Sequence, residues 1–366
     1  MTSAAAGTLD EAYERLHATG PEFDGWLSNH GPMAAEAMVR HGQGDLVGSW
    51  LDGYMRRLEE FPRGTGPIGA DWRQALGNPR RIADWTASFG REVSEQPWRQ
   101  VLNTWWPRLL PGVAAAATHG VIRVGHAVRA LLADGDDDAH IAELAHGLAY
   151  WAARWQTVPA GHPAAGAAAA SAAAGWPRAT TPLESLAAVP RIAEQSGGIR
   201  ERLARLDDLA GWSPALAAFS LPAAPEQIRP ALASLVDAAT LRYLFYGHGN
   251  GVMLVHSATA PNAVLRALPA LDTELWAPSL AASWAASSAL TAVYAPAEPA
   301  ARAQLPQPPA GRESPGETAS AIFARAVEHG DEHVIKFADT AVEVFARTGD
   351  PDAIAAALRA AELIGP

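Results

Sequence analysis

The stretch "HIAELAHGLAYWAARW", residues 140–155, decides the fold class. Its apolar residues Ile141, Leu144, Ala145, Leu148, Trp151, Ala152 and Trp155 recur at steps of three and four. That period lines one face of a helix and would scatter the same residues over both faces of a strand. The period returns in "GIRERLARLDDLAGW" (198–212), "EQIRPALASLVDAATLRYLFY" (226–246) and "PDAIAAALRAAELI" (351–364). "GPMAAEAMVRHG" (31–42) adds Pro32 where a first helical turn tolerates it and Gly42 as a stop. Thr8 and Glu11 have capping-box spacing. Alternating runs of Val, Ile and Thr are hard to find, so the expectation is an all-α chain, one large multi-helix domain over residues 1–366. Two segments interrupt it: an Ala-rich connector read as mobile (158–182) and a Pro-rich surface loop (294–316). The 28 prolines and 32 glycines cut the chain into helices with no repeat length, which argues against a solenoid.

Composition narrows the function. Hydrophobic residues at 49% and charged residues at 18% belong to a folded globular chain. A net charge of −11 argues against a nucleic-acid or anionic-membrane partner, because nothing would release counterions from phosphates. The absence of cysteine removes disulfides, thiolate metal sites, iron–sulfur clusters and a cysteine nucleophile. The start "MTSAAAGTLDEAYERL" lacks the basic and apolar regions of a secretory signal, and no run of 18 apolar residues occurs. The chain therefore reads as soluble and cytoplasmic, and a homo-oligomer is left open.

Lys336, in "VEHGDEHVIKFADTAVEVF" (327–345), is the only lysine; the remaining 27 of the 28 basic residues are arginine. Glu332 stands four residues before it, the favourable order for a surface ion pair, but arginine would serve that pair equally well. A lysine kept alone points to the chemistry of a neutral amine, which a guanidinium never becomes in a protein. That amine can form a Schiff base, act as a base, or take up carbon dioxide as a carbamate, an anionic two-oxygen metal ligand. His333 precedes Lys336 by one turn on the same helical face. Other histidines have distinctive settings: His30 before the Pro32 helix, His119 and His126 seven residues apart, and His256 in "GVMLVHSATAP". A seven-residue step spans about 10.5 Å on a straight helix, near the limit for two imidazoles on one ion; Gly120 and Gly125 can bend the backbone to shorten it. Each histidine can equally be a core or capping residue.

Taken together, "NHGPM" (29–33), "HGVIRVGHAVRAL" (119–131), "MLVHSATAP" (253–261) and "DEHVIKF" (331–337) resemble the questin oxidase-like family, whose fungal members open the quinone ring of anthraquinones. The resemblance spans nearly the whole chain. It implies an oxygenase cleaving a ring carbon–carbon bond of an aromatic polyketide, an anthraquinone or its hydroquinone, with dioxygen as co-substrate. The family includes an iron-dependent dioxygenase whose metal is held by four histidines and a carboxylated lysine. Carried over, the resemblance implies Fe(II) held by His30, His119, His126, His333 and Lys336, with carbon dioxide supplying the carbamate. His256 is the rival for the fourth histidine, and whichever of His256 and His333 is not a ligand would orient substrate or act as acid or base. Imidazole suits Fe(II), and five protein ligands leave an octahedral ion one open position.

Thirteen tryptophans and six tyrosines suit a pocket for a flat polycyclic ligand, although aromatics at helical spacing also serve as core. Trp105, Trp106, Tyr243, Tyr246 and His248 are the candidates for its walls. "GHGNG" (247–251) follows a helical run and reads as a helix C-terminal turn rather than a nucleotide loop. "ADGDDDAH" (133–140) reads as a solvated acidic turn, and His140 and His146 as structural. The rival functions are a metal-free or NADPH-linked Baeyer–Villiger-type oxidase of the same family and a non-catalytic protein that binds an aromatic ligand. A carbamate-bridged two-metal hydrolase needs strand–helix alternation that is not seen.

Overall fold

The computed structural model describes residues 3–161, 181–219, 221–222, 224–309 and 314–365. Most of the Ala-rich connector, residues 162–180, lies outside them. The class is all-α, as the period of residues 140–155 requires. The described residues fall into two compact units, Met1–Thr157 with Arg266–Asp272, and Val158–Leu265 with Thr273–Pro366.

The first unit holds α1 (Ser3–His17), α2 (Gly31–Arg40), α3 (Gly44–Tyr54), α4 (Ile82–Glu95), α5 (Trp98–Leu109), α6 (His119–Asp134) and α7 (Asp138–Ala153). Helix α7 packs most extensively on α4 and α6. The approach of α6 to α7 is close: a Cβ on Gly120 would meet Trp151 Cα at 2.8 Å, so glycine is required there. Gly120 therefore serves packing rather than bending, since α6 runs through it and Gly125 without a break. Across the same contact Glu143 accepts from Arg123 Nε at 2.6 Å and Nη2 at 2.7 Å, both residues buried. Trp106 meets Trp151 edge to face at 5.3 Å, and Trp85 and Phe89 flank Trp105, forming the aromatic core.

Two expectations are corrected here. Helix α1 begins at Ser3, so Thr8 lies inside it and is no cap. A small hairpin, β1 (Glu22–Phe23) with β2 (Leu27–Ser28), escaped the period test because two-residue strands carry no alternation. Its turn has a local signature, Asp24 and Gly25, both with positive φ (49° and 78°).

The second unit holds α8 (Pro182–Ala188), α9 (Ile199–Ala204), α10 (Trp212–Ala218), α11 (Pro225–Tyr246), α12 (Gly251–Leu254), α13 (His256–Ala267, to Leu265), α14 (Trp276–Tyr294), α15 (Pro315–His329), α16 (Glu332–Thr348) and α17 (Pro351–Leu363). From Ser279 onward α14 is buried on all sides except at Ala281, as a helix of small and apolar residues all round must be. Helix α11 packs on it and on α17; α16 lies between α15 and α17. Asn262 Nδ2 on α13 donates to Thr340 Oγ1 (3.1 Å) and Glu343 Oε2 (2.8 Å) on α16. This ties the helix that starts with His256 to the helix that carries Lys336. Of the Pro-rich segment, residues 295–309 carry one 3-10 turn, Arg302–Gln304, and no other helix or strand, while Pro315 and Gly316 already belong to α15. The "GHGNG" segment closes α11 with a 3-10 turn, Gly247–Gly249.

Candidate functional site

Each unit buries a set of nitrogen donors, and the histidines in them share one local construction. Each stands at the start of a helix. His30 caps α2, His119 opens α6, His256 opens α13 and His333 is the second residue of α16. None is more than 9% exposed, so their ring nitrogens need partners within the protein.

In the first unit, three successive non-glycine residues with positive φ, Ala116 (46°), Ala117 (57°) and Thr118 (74°), turn the chain into α6. Such conformations cost on the order of 1–3 kcal/mol each and persist where surrounding structure holds them. The result is that His119 Nδ1–H donates to the Ala116 carbonyl one turn back, leaving Nε2 as the lone-pair atom. His30 Nε2 lies 2.7 Å from that atom, the rings edge to face with centroids 4.5 Å apart. Two nitrogens bonded to one six-coordinate ion at about 2.1 Å in adjacent positions lie roughly 3 Å apart, so the pair fits a metal edge. The neighbouring Asn29 braces the loop, its Oδ1 accepting from Gly31 N–H at 2.9 Å and its Nδ2 donating to the Gly20 carbonyl at 3.1 Å.

In the second unit, His256 Nδ1–H donates to the Met253 carbonyl at 3.2 Å, again one turn back. Asp331 caps α16, accepting from the backbone of His333 (2.8 Å) and Val334 (3.2 Å), and the same oxygen stands 3.4 Å from His333 Nδ1. Burial raises the Asp331 carboxyl, but these contacts with His333 outweigh it and hold the group below its ordinary value. Donor atoms of His256 and His333 lie within 4.8 Å of each other. One turn on, Lys336 is 1% exposed and its Nζ has no hydrogen-bond partner among the described residues. The surface ion pair with Glu332 is thus not formed. Burial pulls the Lys336 amine down to about 7, although the charges of Glu332 and Asp331 push the other way. An amine in this state is neutral for much of the time at pH 7 and can add carbon dioxide.

His126 is placed differently from His119. Its Nδ1 meets Glu36 Oε2 at 2.8 Å, and Arg266 Nη1 lies 3.3 Å from its Nε2. Arg129 Nε also donates to Glu36 at 2.8 Å. Burial keeps the His126 ring below its ordinary pKa despite Glu36. Both ring nitrogens therefore have partners in this arrangement. Glu36, Arg266, Asp331 and Asn262 were not singled out from sequence. Of these only Asp331 had a visible signal, as an Asp just ahead of an apolar helical run.

The five residues expected to form an aromatic wall have the following surroundings. Trp106 is fully buried against Trp151, and Trp105, 4% exposed, donates to Glu92 at 2.6 Å within the core cluster. Tyr243 packs on Phe337 with centroids 4.3 Å apart and donates to the Gly251 carbonyl at 3.1 Å. His248 is exposed. Tyr246 borders a cavity of about 460 Å³. His140, read as structural, is buried; its backbone N–H donates to Asp137, the cap of α7 in the acidic turn, at 2.9 Å, and its ring lies beside the same carboxylate.

The sequence profile of the questin oxidase-like family matches residues 51–341, a span that holds His119, His256, His333 and Lys336. The chain belongs to that family. Membership in the questin oxidase-like family implies an oxidoreductase, an oxygenase acting on an aromatic polyketide as small-molecule substrate. His30 precedes the matched span. No curated protein matches the chain. No described helix is long and apolar enough to cross a membrane.

Proposed function

We propose that this questin oxidase-like protein is a non-haem Fe(II) oxygenase that cleaves a ring carbon–carbon bond of an anthraquinone or its hydroquinone with dioxygen, in the cytoplasm. His30, His119, His256 and His333 would hold the ion together with a carbamate on Lys336. The observation that carries this reading is Lys336 itself: the sole lysine, buried, without a hydrogen-bond partner among the described residues, and lowered to about 7. A buried unpaired amine costs stability unless something completes it. Carbon dioxide supplies an anionic group, and the carbamate needs a cation. The donor chemistry fits, since His119 and His256 present Nε2 with Nδ1 tied to a backbone carbonyl, the arrangement that orients metal-ligating imidazole. Helix starts carry partial positive charge, so four histidines at such places favour an anionic fifth ligand. Imidazole and carboxylate-type oxygen are the donors that non-haem iron takes.

When bound, ferrous iron would supply the activation of dioxygen that ring cleavage requires. The chain's own residues do the rest. The Ala116 and Met253 carbonyls and Asp331 keep their histidines from turning. Burial of the four rings and Lys336 keeps bulk water from them. Glu36 and Arg266 occupy His126, which replaces its expected role as a ligand with one of bracing α6.

Metal analysis of untagged protein tests this reading. About one iron per chain is expected in the wild type, with occupancy and activity both lost in Lys336→Ala. Because removing even an outer partner of a metal ligand costs about 10- to 100-fold, the activity loss should exceed about a hundredfold. Short carboxylic acids should restore part of it. Full activity in Lys336→Arg, or a wild type active without stoichiometric metal, would favour a metal-free oxidase instead.

A further inference from the structure

The second unit buries another cation that no carboxylate answers. Arg242, on α11, is 8% exposed, and its Nη2 has no hydrogen-bond partner among the described residues. Its guanidinium lies over the Tyr246 ring, 4.4 Å from the centroid. Arg191 lies over the same ring at 5.5 Å, and its Nε is likewise buried and unpartnered among the described residues. Two like charges thus share one aromatic ring. Burial first, and the Arg191 charge after it, push Arg242 below the ordinary arginine range, although Tyr246, through its charge and a hydrogen bond to the side chain, pushes the other way.

The acids nearby are committed elsewhere. Asp352 takes Arg302 through both oxygens, at 2.6 and 2.7 Å. Glu184 closes the capping box of α8, its Oε2 accepting from Thr181 N–H at 3.0 Å and lying 3.1 Å from Thr181 Oγ1. Arg242 borders the 460 Å³ cavity, whose walls are otherwise apolar or aromatic, Tyr246 and Phe245 among them, apart from those two committed acids, Glu184 and Asp352. The volume lies in the range of small-molecule sites, which are mostly apolar with few polar groups aimed inward. Arg242 and Tyr246 also line a small void that reaches Ser257, the neighbour of His256.

We propose that this cavity binds a planar aromatic carboxylate, its ring on the apolar wall and its carboxylate on the free donors of Arg242, with Arg191 behind. Guanidinium matches a carboxylate through paired N–H donors, and one anion relieves the repulsion of two arginines. A small hydrated anion such as phosphate would leave the apolar wall unused. Binding needs no metal, so it stands or falls separately from the iron reading.

The test is calorimetric titration of the full chain, treated with chelator, using 2-naphthoate and its neutral counterpart 2-naphthamide. 2-Naphthoate should bind the wild type at least tenfold more tightly than Arg242→Met, with 2-naphthamide indifferent to the substitution. Arg191→Met should lose severalfold. Inorganic phosphate should fail to displace 2-naphthoate at equal concentration; displacement would make this a site for simple anions and refute the aromatic part. Ligand-free Arg242→Met should melt at or above the wild-type temperature, because it removes an unpaired buried charge. If it melts far lower, Arg191→Met decides alone. Equal affinity of 2-naphthoate for the wild type and either folded variant overturns the proposal.

Discussion

In the first unit, buried cations come with carboxylates: Arg123 gives two nitrogens to Glu143, and Arg129 lies against Glu36. In the second, Lys336 (1% exposed) and Arg242 (8%) are also buried, each with a donor atom that meets no acceptor among the described residues. Size and solvent access do not separate the two cases; the presence of an answering charge does. A buried ion pair is complete within the fold and holds elements together, here α6 to α7. A buried cation with open donors is a cost that a group from outside would relieve: in the proposed readings, carbon dioxide and a metal at Lys336 and a carboxylate at Arg242.

Breaking the paired side of this contrast should have the larger effect on stability. Glu143→Gln strands Arg123 and also takes an acceptor from His17, which contacts Glu143 at 2.7 Å. Removing one partner of a buried pair costs about 3–5 kcal/mol, so denaturant melts should show a loss of that order. A loss near zero would mean the pair is solvated and the contrast false.

The unpaired side should respond in the opposite direction and less strongly. Lys336 sits at about 7 when folded against an ordinary 10.5. Below pH 7 both folded and unfolded chains carry the proton and the full penalty of burying it is present. Between about 7 and 10.5 the unfolded chain binds more protons, so stability must rise with pH across that window. In protein free of metal and carbon dioxide, Lys336→Met should therefore be the more stable form at pH 6, by an amount on the order of a few kcal/mol, with the difference shrinking towards pH 10. Parallel stability profiles for the two proteins would show that the amine has an answering charge after all.

What was legible beforehand follows the same division. Helix α7 was readable because burial of Leu144, Leu148 and Trp151 on one face imposes a period on the sequence itself. His256, His333 and Lys336 stood out in the sequence by their settings, and all three are buried. The turn into α6 was not, since Ala116, Ala117 and Thr118 give no local hint of a left-handed backbone. The role of His126 was not either: spacing says which face a ring leaves from, but which partner takes each nitrogen depends on Glu36 and Arg266, distant in sequence. Trp105 and Trp106 look alike as core or wall until their neighbours are known. Arg242 is one of 27 arginines, and its want of a partner is a property of the folded neighbourhood alone.

Lys336 as a carbamate that shares one ion with His30, His119, His256 and His333 is the central proposal. Diffraction from crystals of untagged protein, with anomalous data collected at the iron edge, tests it most directly. The expected map has a single iron peak bonded to those four imidazoles and a two-oxygen extension on the Lys336 side chain. A map with an unmodified Lys336 and no metal beside it, from protein that is catalytically active, would contradict it.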